Sequence, residues 1–106
     1  MDTCPFCSVL KDDKNNQIIE KGEHVTAIRK QYKSRNVNFL IISNIHHDNL
    51  KNMDDTGILK EIVCMANKLS KGRDWSMTIN NGKNSRQTVF HLHAHISSDE
   101  DSNLWF

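Results

Sequence analysis

Apolar and polar residues alternate along this chain with two different periods. After Asp54 and Asp55, the residues Ile58, Ile62, Met65 and Leu69 recur at i, i+4, i+7 and i+11, with Leu59, Val63 and Ala66 widening the stripe. That spacing predicts one main amphipathic helix over about residues 55–70, packed by one face. Either aspartate can cap its start. Gly72 lies just past its end, where a left-handed C-cap residue belongs. Cys64 falls inside the pattern and reads as a small core residue. Elsewhere the pattern shortens. Gln17 to Glu20 and His24 to Ile28 are β-like runs separated by Gly22, which predicts a hairpin. Asn38 to Ser43 is rich in β-branched and aromatic residues and reads as a buried strand. Trp75 to Asn80 and Thr88 to Ile96 read as strands, with Asn81-Gly82-Lys83-Asn84 as a turn and Gln31 to Asn36 as a polar loop. Strands on both sides of one helix, without regular β–α alternation, predict an α+β fold with a largely antiparallel sheet.

Composition narrows the function classes. The 106 residues suit a single domain, 1–106. Hydrophobic residues at 37% and charged residues at 25% are too apolar a mixture for disorder. A net charge of +1 gives no reason to expect duplex nucleic acid as a partner, since that affinity comes from clustered cations. The longest apolar run, Phe39-Leu40-Ile41-Ile42, is four residues, far short of the roughly 20 of a membrane helix. Met1-Asp2-Thr3-Cys4 begins no cationic-then-apolar leader, so a cytoplasmic protein is expected. In that compartment Cys4 and Cys7, spaced Cys-x2-Cys, read as a metal pair or a redox pair rather than a structural disulfide. Only three residues precede Cys4, too few for the strand a thioredoxin-like pair needs, which favours zinc.

The chemistry concentrates in Val89-Phe90-His91-Leu92-His93-Ala94-His95-Ile96, where half of the six histidines fall within five residues. On a strand, His91, His93 and His95 share one face and Leu92, Ala94 and Ile96 the other. The apolar row can pack on a core while the imidazoles line a site. Three readings stand: a solvated polar face, a catalytic metal centre of three imidazoles, or catalysis by histidine itself, with a nucleophile beside a proton donor.

These residues resemble the motif of the histidine triad superfamily, His-φ-His-φ-His-φ-φ with φ apolar, which residues 91–97 supply except at Ser97. The likeness extends upstream through Asn80, Gly82, Gln87, Thr88 and Val89. Residues 40–50 look like the superfamily's apolar strand followed by Pro-x-x-His-x-x-x-Leu, with Ser43 in place of the proline and His46 at the histidine. Cys4-Pro-Phe-Cys7 resembles the cysteine pair of zinc-bearing members.

The resemblance implies an antiparallel sheet of about five strands with one main helix and a short second one, two chains dimerising into a ten-stranded sheet. It implies a nucleotide phosphoramidase or hydrolase of the small Hint-like branch, attacking the α-phosphate through a covalent nucleotidyl-His93 intermediate. His95 would contact the phosphate or leaving group, and His91 would sit behind the nucleophile. Gln87, Thr88 and Asn80 would contact phosphoryl oxygens. One structural zinc per chain would be held by Cys4, Cys7, His46 and His91, with His47 as the alternative to His46 and no catalytic metal. The alternatives are a dinucleoside polyphosphate hydrolase, or a zinc-stabilised nucleotide-binding module with vestigial catalysis. One departure bears on substrate. Similar nucleoside-binding members carry an acidic residue for the ribose hydroxyls, and no Asp or Glu occurs from Val25 through Ile42, where Arg29 and Lys30 stand instead. The tail ending Leu104-Trp105-Phe106 is expected to dock on the fold or on a partner's site.

Overall fold

The computed structural model describes residues 4–30 and 37–98. The expected loop at 31–36 and the apolar tail at 104–106 lie outside the described residues. Five strands form one antiparallel sheet: β1 (Ile18–Lys21), β2 (Val25–Arg29), β3 (Phe39–Ser43), β4 (Ser76–Thr78) and β5 (His93–Ser97), in the order β1-β2-β3-β5-β4. Two helices accompany it, α1 (Pro5–Lys11) and α2 (Thr56–Ser70). This is the α+β architecture expected from the sequence.

β3 lies in the middle of the sheet and is buried along its whole length, which is why its sequence is a continuous apolar run. Its alternate residues feed two cores. Phe39 and Ile41 join Val25, Ala27, Leu92, Ala94, Ile96 and the buried face of α2. Leu40 and Ile42 join Ile28 and, from α1, Phe6 and Val9. The β1–β2 turn is held against α2 by the Glu61 carboxylate, which accepts from the backbone N–H of His24 at 3.0 Å and of Val25 at 3.3 Å. A side chain at Gly22 would run into that carboxylate, so the turn needs glycine for close approach.

α2 starts where the sequence places it, with the Asp55 carboxylate accepting from Gly57 N–H at 2.9 Å. It ends one residue earlier than Gly72: Lys71 is the left-handed C-cap at φ 55°, and Gly72 follows at φ 85°. Its buried stripe is narrower than expected. Ile58, Ile62, Met65, Ala66 and Leu69 are buried, whereas Val63 is 39% exposed. Cys64 is exposed, not a core residue, because it stands about 200° around the helix from Ile62.

The strand expected over 88–96 begins only at His93. The residues before it spend their backbone groups elsewhere. Val89 C=O accepts from the Gln87 side chain at 3.0 Å, His91 C=O from the His93 ring at 2.7 Å, and Leu92 N–H donates to His47 C=O at 2.6 Å. The alternation survives this irregularity, since Leu92, Ala94 and Ile96 all enter the α2-side core. Likewise the strand expected over 75–80 is only Ser76–Thr78. Among the described residues no helix is long and apolar enough to cross a membrane.

Candidate functional site

The site lies where α1, the turn after β3 and the approach to β5 meet. Cys4 caps α1, its thiol accepting from Cys7 N–H at 3.5 Å, and Pro5 takes the first helical position, where its missing N–H matters least. One helical turn thus brings both thiols to the same end of α1. Cys4 Sγ lies 3.2 Å and Cys7 Sγ 3.4 Å from His91 Nδ1, and Cys7 Sγ lies 3.2 Å from His46 Nδ1. All four donor atoms fall within 4.8 Å of one another.

Each imidazole is turned so that Nδ1 faces the thiols. His91, fully buried, donates from Nε2 to Ser43 C=O at 2.7 Å. His46 Nε2 faces the Asp48 carboxylate at 3.2 Å. A second partner on the outer nitrogen fixes the tautomer and leaves Nδ1 as a ligand. A tetrahedral zinc with Zn–S and Zn–N bonds near their usual lengths needs N···S edges of about 3.5 Å. The observed 3.2–3.4 Å fits that donor set. His46, not His47, completes the group. His47 points to a small cavity of about 60 Å³ beside His24, Ile45 and Asp55.

His93 is the next residue on the same face. It is 7% exposed and donates from Nδ1 to His91 C=O at 2.7 Å, which leaves the Nε2 lone pair for chemistry. Burial lowers its pKa below the usual imidazole value; the neighbouring His95 and His91 add to the lowering, and the bond to His91 C=O works against it. Neutral imidazole is therefore favoured. The Phe6 ring stands edge-on to His93 at a centroid distance of 5.0 Å and to His91 at 5.7 Å. His95 lies 4.8 Å from His93, ring to ring, is partly exposed, and has Nδ1 3.3 Å from Thr78 C=O. The three triad rings do not converge on one point: His91 turns to the cysteines, and His93 and His95 stay outside that group.

The expected phosphate contacts divide. Thr88 is exposed beside the triad. Asn80 donates to Ser85 C=O at 2.6 Å, so part of its amide shapes the turn. Gln87 is buried at 5% exposure, and its carboxamide makes four internal hydrogen bonds. That uses the full capacity of an amide and leaves none for a phosphoryl oxygen, which corrects the role expected for it. Arg29 ends β2, Lys30 follows it, and both are exposed. Phe6 and Asp48 carry no motif of their own in the sequence, and Ser43, at the proline position of the Pro-x-x-His likeness, acts through its backbone carbonyl. Phe6 between the two cysteines and Asp48 two residues after His46 are the signals that point to them.

The HIT domain family model matches residues 11–101 of the chain. The chain belongs to the HIT family. A HIT family hydrolase from Clostridium thermocellum is similar over 95% of this chain and 96% of its own, at 31% identity and a TM-score of 0.82. A HIT-like protein of Chlamydia muridarum is 34% identical over 82 residues, spanning 72% of this chain but only 65% of that relative's length. A zinc-bound histidine triad family protein from Mycobacterium smegmatis shares the fold at 21% identity and a TM-score of 0.71, over 93% of this chain and 78% of its own.

Proposed function

We propose that this HIT protein is a nucleotide phosphoramidase or hydrolase in which His93 Nε2 attacks the α-phosphorus of a nucleotide derivative. The observation that carries the reading is the His93 Nδ1–H bond to His91 C=O at 2.7 Å. It fixes the tautomer that leaves Nε2 nucleophilic, and it stays to share the positive charge once Nε2 is bonded to phosphorus. In the first step the Nε2–P bond forms and the bond to the leaving group breaks, with His95 placed to give the departing nitrogen or oxygen a proton. In the second step water forms a P–O bond and gives a proton back to His95, the N–P bond breaks to restore neutral His93, and a nucleoside monophosphate leaves. Splitting one displacement into two is the usual gain of covalent catalysis. The similarity to the C. thermocellum hydrolase supports the hydrolytic class.

Cys4, Cys7, His46 and His91 would hold one zinc ion, four N/S donors making a closed structural site. Bound there, zinc supplies a cross-link between the start of α1, the turn after β3 and the approach to β5. We further propose a cytoplasmic homodimer. Arg29 and Lys30 favour a second substrate reading, a dinucleoside polyphosphate, whose extra phosphates suit cations better than ribose hydroxyls do.

The test is intact-protein mass spectrometry after brief exposure to adenosine 5′-phosphoramidate, with His93→Ala alongside. A transient adduct of one adenylyl group on the wild type, absent from the variant, is expected. Turnover retained by His93→Ala would sink the reading.

A further inference from the structure

Gln87 is buried in the bend between the Gly82 turn and the triad, and three of the four groups its carboxamide bonds are backbone groups. Its Oε1 accepts from Gly82 N–H at 2.8 Å and from Asn49 Nδ2 at 3.0 Å. Its Nε2 donates to Asp48 C=O at 2.6 Å and to Val89 C=O at 3.0 Å. Only this orientation of the amide works, since the reverse would set donor against donor and oxygen against oxygen.

The partners lie on two stretches far apart in sequence, residues 48–49 and residues 82–89, and both lead to the site. Asp48 is the residue whose carboxylate faces His46 Nε2 at 3.2 Å. Val89 stands two residues before His91, whose Nδ1 faces both thiols and whose carbonyl holds the His93 ring. One carboxamide therefore grips the chain beside both imidazoles of the Cys4–Cys7–His46–His91 group. The bond from Leu92 N–H to His47 C=O, 2.6 Å, is a further tie between the same two stretches.

We propose that Gln87 is a positioning residue. It sets the separation of His46 and His91, and through His91 the aim of His93, without touching substrate. The catalytic half of this rests on the function proposed above; the metal half does not.

The test uses Gln87→Met, which keeps length and loses every hydrogen bond, and Gln87→Glu, which keeps the acceptors but sets an oxygen against the Asp48 and Val89 carbonyls. Ile62→Val, in the core under α2, serves as a control for lost stability. Two quantities are read: the first-order release of zinc from the loaded protein to a chromogenic chelator, and kcat and KM for adenosine 5′-phosphoramidate. Both Gln87 variants are expected to release zinc about tenfold faster or more, the range found for partners behind metal ligands. Their kcat should fall about tenfold with KM moving less than about threefold. The control should change neither at a comparable loss of melting temperature. Wild-type zinc release and kcat in Gln87→Met overturn the proposal, as does a chain that binds no zinc. If Gln87→Met does not fold, Asn49→Asp decides with the same expected signs. It keeps the oxygen that accepts from Lys51 N–H and sets another against Gln87 Oε1; unchanged values there overturn the proposal equally. If the wild type fails to turn over the phosphoramidate, the proposed function fails, and zinc release still decides the role of Gln87.

Discussion

The two faces of the sheet are built from the same strands and do opposite things. The face under α2 is closed and apolar, from Val25 and Ala27 across Phe39 and Ile41 to Leu92, Ala94 and Ile96. The face under α1 has a smaller apolar patch, Ile28, Leu40 and Ile42 with Phe6 and Val9, and beside it two buried imidazoles and two thiols. β5 and its approach belong to both. Leu92, Ala94 and Ile96 pack in the core while His91, His93 and His95 turn their imidazoles to the other face, so one residue's step along the backbone changes the surroundings entirely. The pleat places reactive groups on a rigid element without taking volume from the larger core.

Neighbouring substitutions on either side of that step should separate the two roles. His93→Ala is expected to lower turnover of the phosphoramidate by about 10³-fold or more, as loss of a nucleophile does. Stability should fall by only about 1–2 kcal/mol, for the His91 carbonyl left without its partner. Steady-state rates and denaturant titrations check both. Leu92→Ala, one residue earlier, should do the reverse. A fully buried leucine truncated in a closed core destabilises by about 3–4 kcal/mol, while kcat per folded molecule stays within about tenfold of wild type. Equal catalytic losses in the two variants would mean that the faces are not separable.

Much of this division is legible in the sequence, because period carries it. The alternation of His91 to Ile96 is enough by itself to assign the two faces, and the Ile58–Leu69 spacing assigns the buried side of α2. The cysteine spacing points to a metal pair. What period cannot give is a tie between distant stretches. Gln87 looks like a phosphate ligand in sequence, and only the fold brings Asp48 and Asn49 to its carboxamide. β5 begins only at His93 because the Gln87 and His93 side chains, each two residues from the carbonyl it binds, and the turn at His47 take the backbone groups that a ladder would need. The register of the Pro-x-x-His resemblance ranks His46 ahead of His47, and the fold gives the reason, since adjacent residues on a turn face different ways and only His46 reaches the cysteines.

Zinc removal probes the difference between the faces more gently. α1 has seven residues, too few to persist as an isolated helix, and only Phe6 and Val9 are buried from it. If free zinc stands about 100-fold above its dissociation constant, its contribution is about 2.7 kcal/mol. Chelation should therefore lower the melting temperature and speed hydrogen exchange in α1 and the turn after β3, with the α2 amides still protected. Loss of protection in α2 together with α1 would show one cooperative unit in which the metal supports both faces.

The smallest effect is expected on the outward side of α2. Cys64 is exposed, about 200° around the helix from Ile62, so its inclusion in the apolar stripe counted its chemistry and ignored its angle. Cys64→Ser should change stability by less than about 0.5 kcal/mol, as surface substitutions do. The same position gives a sharper readout by labelling. In zinc-loaded protein a thiol reagent should modify Cys64 alone, because the other two thiols of the chain would be metal ligands; after chelation all three should react. Intact mass distinguishes one adduct from three. A Cys64 that resists labelling in the loaded protein would mean that this side of α2 is covered in solution. A second copy of the chain is then the first candidate, and diluting the protein until labelling appears would identify it, because a covering that comes off with dilution belongs to another molecule and one that does not belongs to this one.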